Sequence, residues 1–513
     1  MRIRPMILEP ILAAAVRFVS ATLLFASGAG AFAQPAPAGG DPLSLRDAVD
    51  LALDFAPGLR DARLGLDTAE LSFALARAEV TPSLRLEPDG SQTVGLARDR
   101  TGPSFDAPLG RQRTTYTAGA SLLLQQALPT GATLSARAGN TTRVIAVGDD
   151  DPVVLQTPSA TLSIVQPVFV NRRLIDGRIY AAALEDAELV RQDAIVWLRD
   201  AENDTVIQTV QAYLAARAAT DAYAVSAGGV ERARAALRLI DARYDAGLVR
   251  FDEVLDAELA VSQAADAWFA AEVDRDIAYD ALRTLIGPFD LGPGSFGTDP
   301  PAPVSASEPD GPESGDIERA RIALRRAENA AIVAGAGDGG SLSLALSAAP
   351  RYAANRVPSS DFGASVADLF VPDAGVDVSV GIRLSVPLAD GGAARLRAER
   401  REIDIERARL SLADRQDAAL RAVERLGLQL ELAERASDRA REQYGLAQRR
   451  VERVRALERS GEATAADVDT AAGERDRRAI AVRVADGEVL VSTLRLAAAR
   501  GVQVYDAISF AAE

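Results

Sequence analysis

The sequence predicts a mainly α-helical protein with a membrane β-barrel, built as a two-fold internal repeat in which strands lead into a long helical hairpin. Three observations predict it. Arg178–Leu285 contains no proline and is rich in Ala, Leu, Arg, Glu and Gln, so a nearly unbroken helix of roughly 65 residues, about 100 Å long, runs to a turn at Gly247. Val376–Leu388 alternates strictly, with Val, Ile or Leu at every even position and Asp, Ser, Gly, Arg, Ser and Pro at the odd ones. That run exceeds the 9 to 11 or so residues that a tilted strand needs to cross a bilayer. The order also recurs: Pro167 and Pro387 close strand regions, and Gly247 and Gly461 mark hairpin turns. Such duplication is the mark of a repeated architecture.

Residues 1–33 read as a signal peptide. Arg2, Arg4 and Arg17 precede the apolar run Phe18–Phe25, and Ala31-Phe32-Ala33 has the small-x-small form of a cleavage site. The first repeat spans residues 34–286. A helix starts near Leu43 with Ser44 as its N-cap, breaks at Ala56-Pro57-Gly58 and resumes to about Val80. Strand patterns follow at Leu84–Leu96, Thr114–Leu128, Ala132–Ile145 and Ala160–Val170, the last stopped by Pro167. On the hairpin, Ile195, Leu198, Val206, Val210 and Tyr213 recur at helical spacing, with Glu202 interrupting. Beyond the turn, Leu255, Leu259, Phe269, Val273 and Ile277 form a second stripe. Residues 287–315 are a Pro/Gly linker. The second repeat, 316–513, has a helix at Ile317–Val333, strands at Leu342–Tyr352 and Val376–Leu388, and a hairpin at Arg395–Arg500.

Composition narrows the function. The chain has no Cys and no His and a formal charge of −16, and all 57 of its basic residues are Arg. Disulfides, thiolate or imidazole metal sites and the commonest general base are therefore absent. An acidic chain without a basic stripe is a poor nucleic-acid binder. Gly335-Ala-Gly337-Asp-Gly-Gly340 satisfies GxGxxG, but a helix precedes it and a strand follows, the reverse of a dinucleotide site. Without a nucleophile motif or a convincing carboxylate pair, no enzyme and no cofactor are expected. Trp197 and Trp268 read as packing or interfacial anchors. No segment after the signal peptide has the roughly 20 apolar residues of a membrane helix, so any membrane entry is as a barrel.

In sequence the chain resembles the outer membrane efflux proteins, the TolC-like channels. The resemblance rests on Leu43-Ser-Leu-Arg-Asp-Ala-Val-Asp-Leu-Ala-Leu with Ala56-Pro57, the strand end Gln166-Pro167, and Tyr244-Asp-Ala-Gly247 followed by Asp252-Glu-Val-Leu-Asp-Ala-Glu258. Its last part is the counterpart Gly461-Glu-Ala-Thr-Ala-Ala-Asp-Val468. It implies a homotrimer whose copies each give four strands to a 12-stranded barrel in outer-membrane lipid and their helices to a periplasmic α-helical tube. It also implies a periplasmic adaptor protein and an inner-membrane pump as partners, in a tripartite efflux or type I secretion system. A different class remains open: a non-conducting trimeric structural coiled-coil surface protein.

The resemblance places the hairpin turns, at Gly247 and at Gly461 with Thr464, at the periplasmic tip. There it implies a constriction lined by acidic residues six and nine positions after each glycine. These are Glu253 and Asp256 in the first half and Asp467 in the second, where Thr470 takes the other position and Asp469 is one residue off. Carboxylates ringing a narrow pore attract cations. A local reading stands beside it: acidic residues are favoured at helix N-termini, and Thr464 to Asp467 resembles a capping box. The first half also carries more strand signal than two barrel strands need, enough for an extra hairpin outside the barrel.

Overall fold

A computed structural model describes residues 43–96, 112–147, 151–170, 173–174, 178–289, 296, 314–337, 341–350, 361, 363, 366, 375–386 and 390–508. The signal peptide, most of the linker and Pro387 lie outside the described residues.

Helix α1 (Leu45–Phe55) opens on a capping box: Asp47 N donates to Ser44 Oγ at 3.1 Å, and Ser44 N donates to the Asp47 carboxylate at 3.3 Å. It breaks at Ala56, and Pro57 starts α2 (Pro57–Ala78), where its missing N–H costs nothing. Four strands follow, β1 (Ser83–Leu96), β2 (Gln112–Ala127), β3 (Thr133–Val147) and β4 (Val153–Val170), then the two-residue β5 (Arg173–Leu174). The first hairpin is α3 (Arg178–Asp245), 68 residues long, and α4 (Phe251–Ile286). The second half runs α5 (Gly315–Gly337), β6 (Ser341–Pro350), β7 (Val376–Ser385), α6 (Ala393–Ser460), also 68 residues, α7 (Ala465–Ala499) and α8 (Val504–Ala507). The helix-before-strand order at Gly335–Gly340 holds, with α5 preceding β6.

The helices form a wall four wide along its whole length. Next to the sheet the packed order is α2–α3–α5–α6; toward the hairpin turns it is α4–α3–α7–α6. Two apolar clusters at the middle of the wall lock α1 against both halves. One gathers Ala48, Ala52, Tyr213, Ala216, Tyr279, Leu282 and Ile286; the other joins Val49, Val206, Ile207 and Val210 to Leu490, Val491, Leu494 and Val504. Buried Asn203 ties the chain end to α3, accepting from Val504 N at 2.8 Å and donating to Val502 O at 3.3 Å. Ion pairs Arg199–Glu318 (3.2 Å), Arg325–Glu185 (2.7 Å) and Arg326–Asp186 (3.0 Å) fasten α5 to α3.

Val206, Val210 and Tyr213 are buried as the stripe predicts, whereas Ile195 is exposed and its neighbour Val196 takes the inward position. The second stripe is not covered by α3. Leu255, Leu259, Phe269, Val273 and Ile277 all stay exposed on α4, and so do Leu396, Ile403, Leu410, Leu420, Leu428 and Leu432 on α6. Both flanks of the wall thus carry unburied apolar rows.

Above the wall the six long strands make one antiparallel sheet in the order β1-β2-β3-β4-β6-β7, with β5 appended to β4. The resemblance implied four strands per chain; this sheet has six long ones and the two-residue β5. Among the described strands β1 and β2 do not stand apart as a separate hairpin, because β2 also pairs β3 over the full run Arg113↔Val147 to Ala127↔Thr133. Pro167 is a second departure. It does not end β4, which continues to Val170; a register shift between Pro167 and Phe169 accommodates it as a bulge. A proline has no N–H for the ladder, and a bulge removes the need for one.

The register sorts the side chains. Leu84, Leu124, Ala136, Leu162, Ala348 and Val378 are successive partners across all six strands and so share one row on one face. Arg85, Glu87, Asp89, Arg137, Arg143, Asp377 and Arg383 fall on the opposite, odd-numbered face. The charged residues of the long strands all fall on the odd-numbered face, whereas the even-numbered face carries exposed Leu, Val and Ile side chains around a polar group of Asn140, Thr142 and Gln156, with Ile382 74% exposed.

Candidate channel constriction

The two hairpin turns lie at the end of the wall remote from the sheet and share one backbone design. Gly247 has φ 73° and Gly461 φ 80°, a left-handed conformation that favours glycine. Leu248 N bonds to Arg243 O and Glu462 N to Leu457 O, each at 2.8 Å, satisfying a helix-end carbonyl five residues back. Each next helix then starts three residues past the glycine, at Arg250 as N-cap of α4 and Thr464 as N-cap of α7.

The caps differ in chemistry. Thr464 and Asp467 form a complete capping box: the Asp467 carboxylate accepts from Thr464 N at 2.8 Å and from Thr464 Oγ1 at 2.7 Å, and Asp467 N donates back at 3.3 Å. Thr464 N–H, then its hydroxyl, holds the Asp467 carboxyl below its ordinary range. Arg250 makes no side-chain cap bond. Glu253 and Asp256 are exposed on the first two turns of α4, and no described side chain forms an ion pair with them.

The tip therefore brings Gly247, Glu253 and Asp256 on one hairpin and Gly461, Thr464 and Asp467 on the other to the same end of the molecule. Asp467 is already engaged in its cap. Asp469 instead lines a cleft of about 790 Å³ between α3, α4 and α7, together with Arg232, Thr470, Gly473 and Arg477. Above the cleft, Arg483 pairs with Asp221 at 2.8 Å, bridging α7 and α3. At the other end of α6, Pro387 falls outside the described residues, and Asp390 makes the helix entry. Its carboxylate accepts from Gly392 N and Ala394 N, each at 2.9 Å, bonds that hold its carboxyl below the usual range.

Sequence reasoning missed a third group of carboxylates. Asp200 and Glu202, half-buried on α3, have carboxyls pushed up chiefly by burial, opposed by Arg199 and Arg63 respectively. Glu202 was visible as an interruption of the α3 stripe; that α5 begins at Gly315 against Asp200 was not, since the residues are more than 100 positions apart. The tryptophans pack: Trp197 lies over Gly65 of α2, and Trp268 lies 6.0 Å from the Tyr223 ring.

Residues 48–288 match the outer membrane efflux protein family. No curated protein matches the sequence. Among solved structures, the Campylobacter jejuni CmeC outer membrane channel is similar at 16% identity and a TM-score of 0.58, over 89% of this chain and 85% of that one. The Vibrio cholerae outer membrane protein VceC is similar at 15% identity and 0.58, over 89% and 96%. The open state of the Neisseria gonorrhoeae MtrE outer membrane channel is similar at 17% identity and 0.56, over 90% and 89%.

Proposed function

We propose that the chain, whose residues 48–288 belong to the outer membrane efflux protein family, is a passive exit duct in the outer membrane, extending into the periplasm as a helical tube. The observation that carries this reading is that one copy leaves the same kind of boundary unfilled from end to end. Among the described residues, strands β1 and β7 each have a neighbour on one side only, and α4 and α6 flank the wall with exposed apolar rows. Open strand edges are intolerable in lipid, and apolar helix faces are costly in water, so copies of the chain complete both walls. A closed ring has an apolar outer barrel surface and a charged inner one, which is the arrangement of a water-filled pore.

Three copies, the number the resemblance implies, make the ring. Its far end is the candidate site for docking a periplasmic adaptor and, through it, an inner-membrane pump of an efflux or type I secretion system. Leu248 and Phe251, both exposed at the first tip, suit contact with another protein. Around the axis, Glu253, Asp256 and Asp467 repeat in each copy and form the candidate cation-attracting constriction.

Planar-bilayer recording tests the duct: the purified assembly is expected to conduct ions. An assembly that inserts yet passes no current would refute the duct and favour the non-conducting structural coiled coil. Asp467→Ala combined with Glu253→Ala is expected to lower cation selectivity or block by multivalent cations. Selectivity unchanged in single-channel recordings sinks the carboxylate assignment without touching the duct.

A further inference from the structure

The geometry points to a trimer whose barrel is 18-stranded, six strands from each copy, closed by pairing of β1 of one copy with β7 of the next. This rests on the trimeric duct proposed above and replaces the 12-stranded barrel that the resemblance implied.

Four observations support it. First, β1 and β2 are integral to the sheet: β2 pairs β1 over 14 positions and β3 over 15, both more than the ten that join β6 to β7. Second, their apolar side chains lie in the membrane rows of the other strands. Leu84 and Leu124 share the row that runs through Leu162 to Val378, and both are exposed, as are Leu86 and Leu122 one row on. A hairpin lying outside the barrel has no reason to match that row. Third, the charged face binds β1 into the wall: Arg137 Nη2 on β3 reaches across β2 to Glu87 Oε2 on β1 at 2.6 Å. Across the β1–β2 pair, Asp89 lies over Gly119, where an added Cβ would meet its carboxylate at 2.6 Å.

The fourth is width. Helices pack about 8–10 Å apart, so the four-helix wall occupies about 32–40 Å of circumference per copy. Strands about 4.8 Å apart and tilted about 35–45° each take about 6–7 Å of arc, so six occupy about 35–41 Å and four only about 23–27 Å. Six strands continue the wall at its own width. The edges also fit: β1 runs away from the helices and β7 runs back toward them, so an antiparallel closure preserves the alternation around the ring. Pro88 withdraws one N–H from the 14 residues of β1, which leaves the rest of that edge able to pair. Barrel diameter grows roughly with strand number, so the lumen is about 1.5 times as wide as that of a 12-stranded barrel.

The test is a strand count on the intact, unmodified assembly by cryo-electron microscopy, with native mass spectrometry to count copies. Three copies and 18 strands are expected. Three copies with 12 strands, and β1–β2 lying outside, overturn the inference and leave the trimer intact. Any other number of copies ends the trimer reading and with it the 18-strand ring, whatever the number of strands per copy. Disulfide crosslinking adds an independent arm, because the chain has no native cysteine. Ser91→Cys on β1, combined in turn with Asp377→Cys, Ser379→Cys, Gly381→Cys and Arg383→Cys on β7, is expected to yield crosslinks between copies in the membrane-inserted assembly for at least one pair. Thr141→Cys on β3 with the same four partners is expected to yield none. The reverse pattern, or no β1–β7 crosslink at any of the four positions, counts against the proposal.

Discussion

The two hairpin tips are the same backbone object with different side-chain chemistry. In both, a left-handed glycine turns the chain, the following N–H returns to a carbonyl five residues back, and the new helix begins three residues later. Only the second tip then locks its helix start, through Thr464 and Asp467; the first presents Arg250, Glu253 and Asp256 without a side-chain cap. The difference teaches that the acidic residue six positions after the turn glycine does not have one role. In the first half Glu253 makes no ion pair with a described residue; in the second, the equivalent carboxylate accepts from the N-cap of its own helix.

The largest effect is expected where the tips are alike. Gly247→Val and Gly461→Val each place a β-branched side chain at positive φ, which costs about 1–2 kcal/mol. Nothing lies within 4 Å of a Cβ at either position, so the cost is conformational and not steric crowding by neighbours. Hydrogen-exchange mass spectrometry should show faster exchange of the amides flanking the substituted turn, by a similar factor at both tips. A large effect at one tip and none at the other would break the equivalence of the two turns.

A smaller effect is expected where the tips differ. Thr464→Ala removes the cap hydroxyl and should destabilise the start of α7 by about 1 kcal/mol, whereas Arg250→Ala should leave α4 nearly unchanged. The converse substitution sharpens the comparison. Arg250→Thr creates Thr-Phe-Asp-Glu, a capping box with Glu253 already in place, and should slow exchange at Phe251 to Glu253 by an amount worth about 0.5–1 kcal/mol. Engaging Glu253 in that way should also reduce its influence on cation selectivity, so one variant reads both the structural and the pore role. Slower exchange with selectivity unaltered would separate the two.

Much of this could be read from residue order, for physical reasons that also mark where reading stopped. Proline-free stretches and glycine turns located both 68-residue helices to within a few positions, since helix length depends on local composition. Alternation located the strands, but Pro158 hid the first part of β4, which starts at Val153, and Pro167 looked like a stop where the fold made a bulge. Periodicity showed the α4 stripe of Leu255 to Ile277 and could not show that its cover lies outside the chain. Nor could it show that β1 and β2 join the same sheet as β7, or that Asp200 meets Gly315. Those are pairings between distant segments, and no local pattern encodes them. At the hairpin tips, the glycine turns and the Thr464–Asp467 cap were legible; that Glu253 and Asp256 make no ion pair with a described residue was not.

The smallest predicted effect, and the one specific to the second tip, is on acidification. The Asp467 carboxyl is held below its ordinary value by accepting from the Thr464 N–H and hydroxyl, and those bonds are absent when the chain unfolds locally. A carboxyl whose folded value is depressed binds its proton more weakly folded than unfolded, so its contribution is fully present above the ordinary carboxylate range. That contribution is lost as pH falls through the depressed folded value. Exchange at Ala465 to Asp467, corrected for intrinsic rate, should therefore accelerate between neutral pH and the acid side of that range. In Asp467→Asn the same amides should lose the pH dependence, because the side chain no longer titrates. Equal acid sensitivity in the wild type and Asp467→Asn would show that the cap carboxylate is not what fastens the second tip.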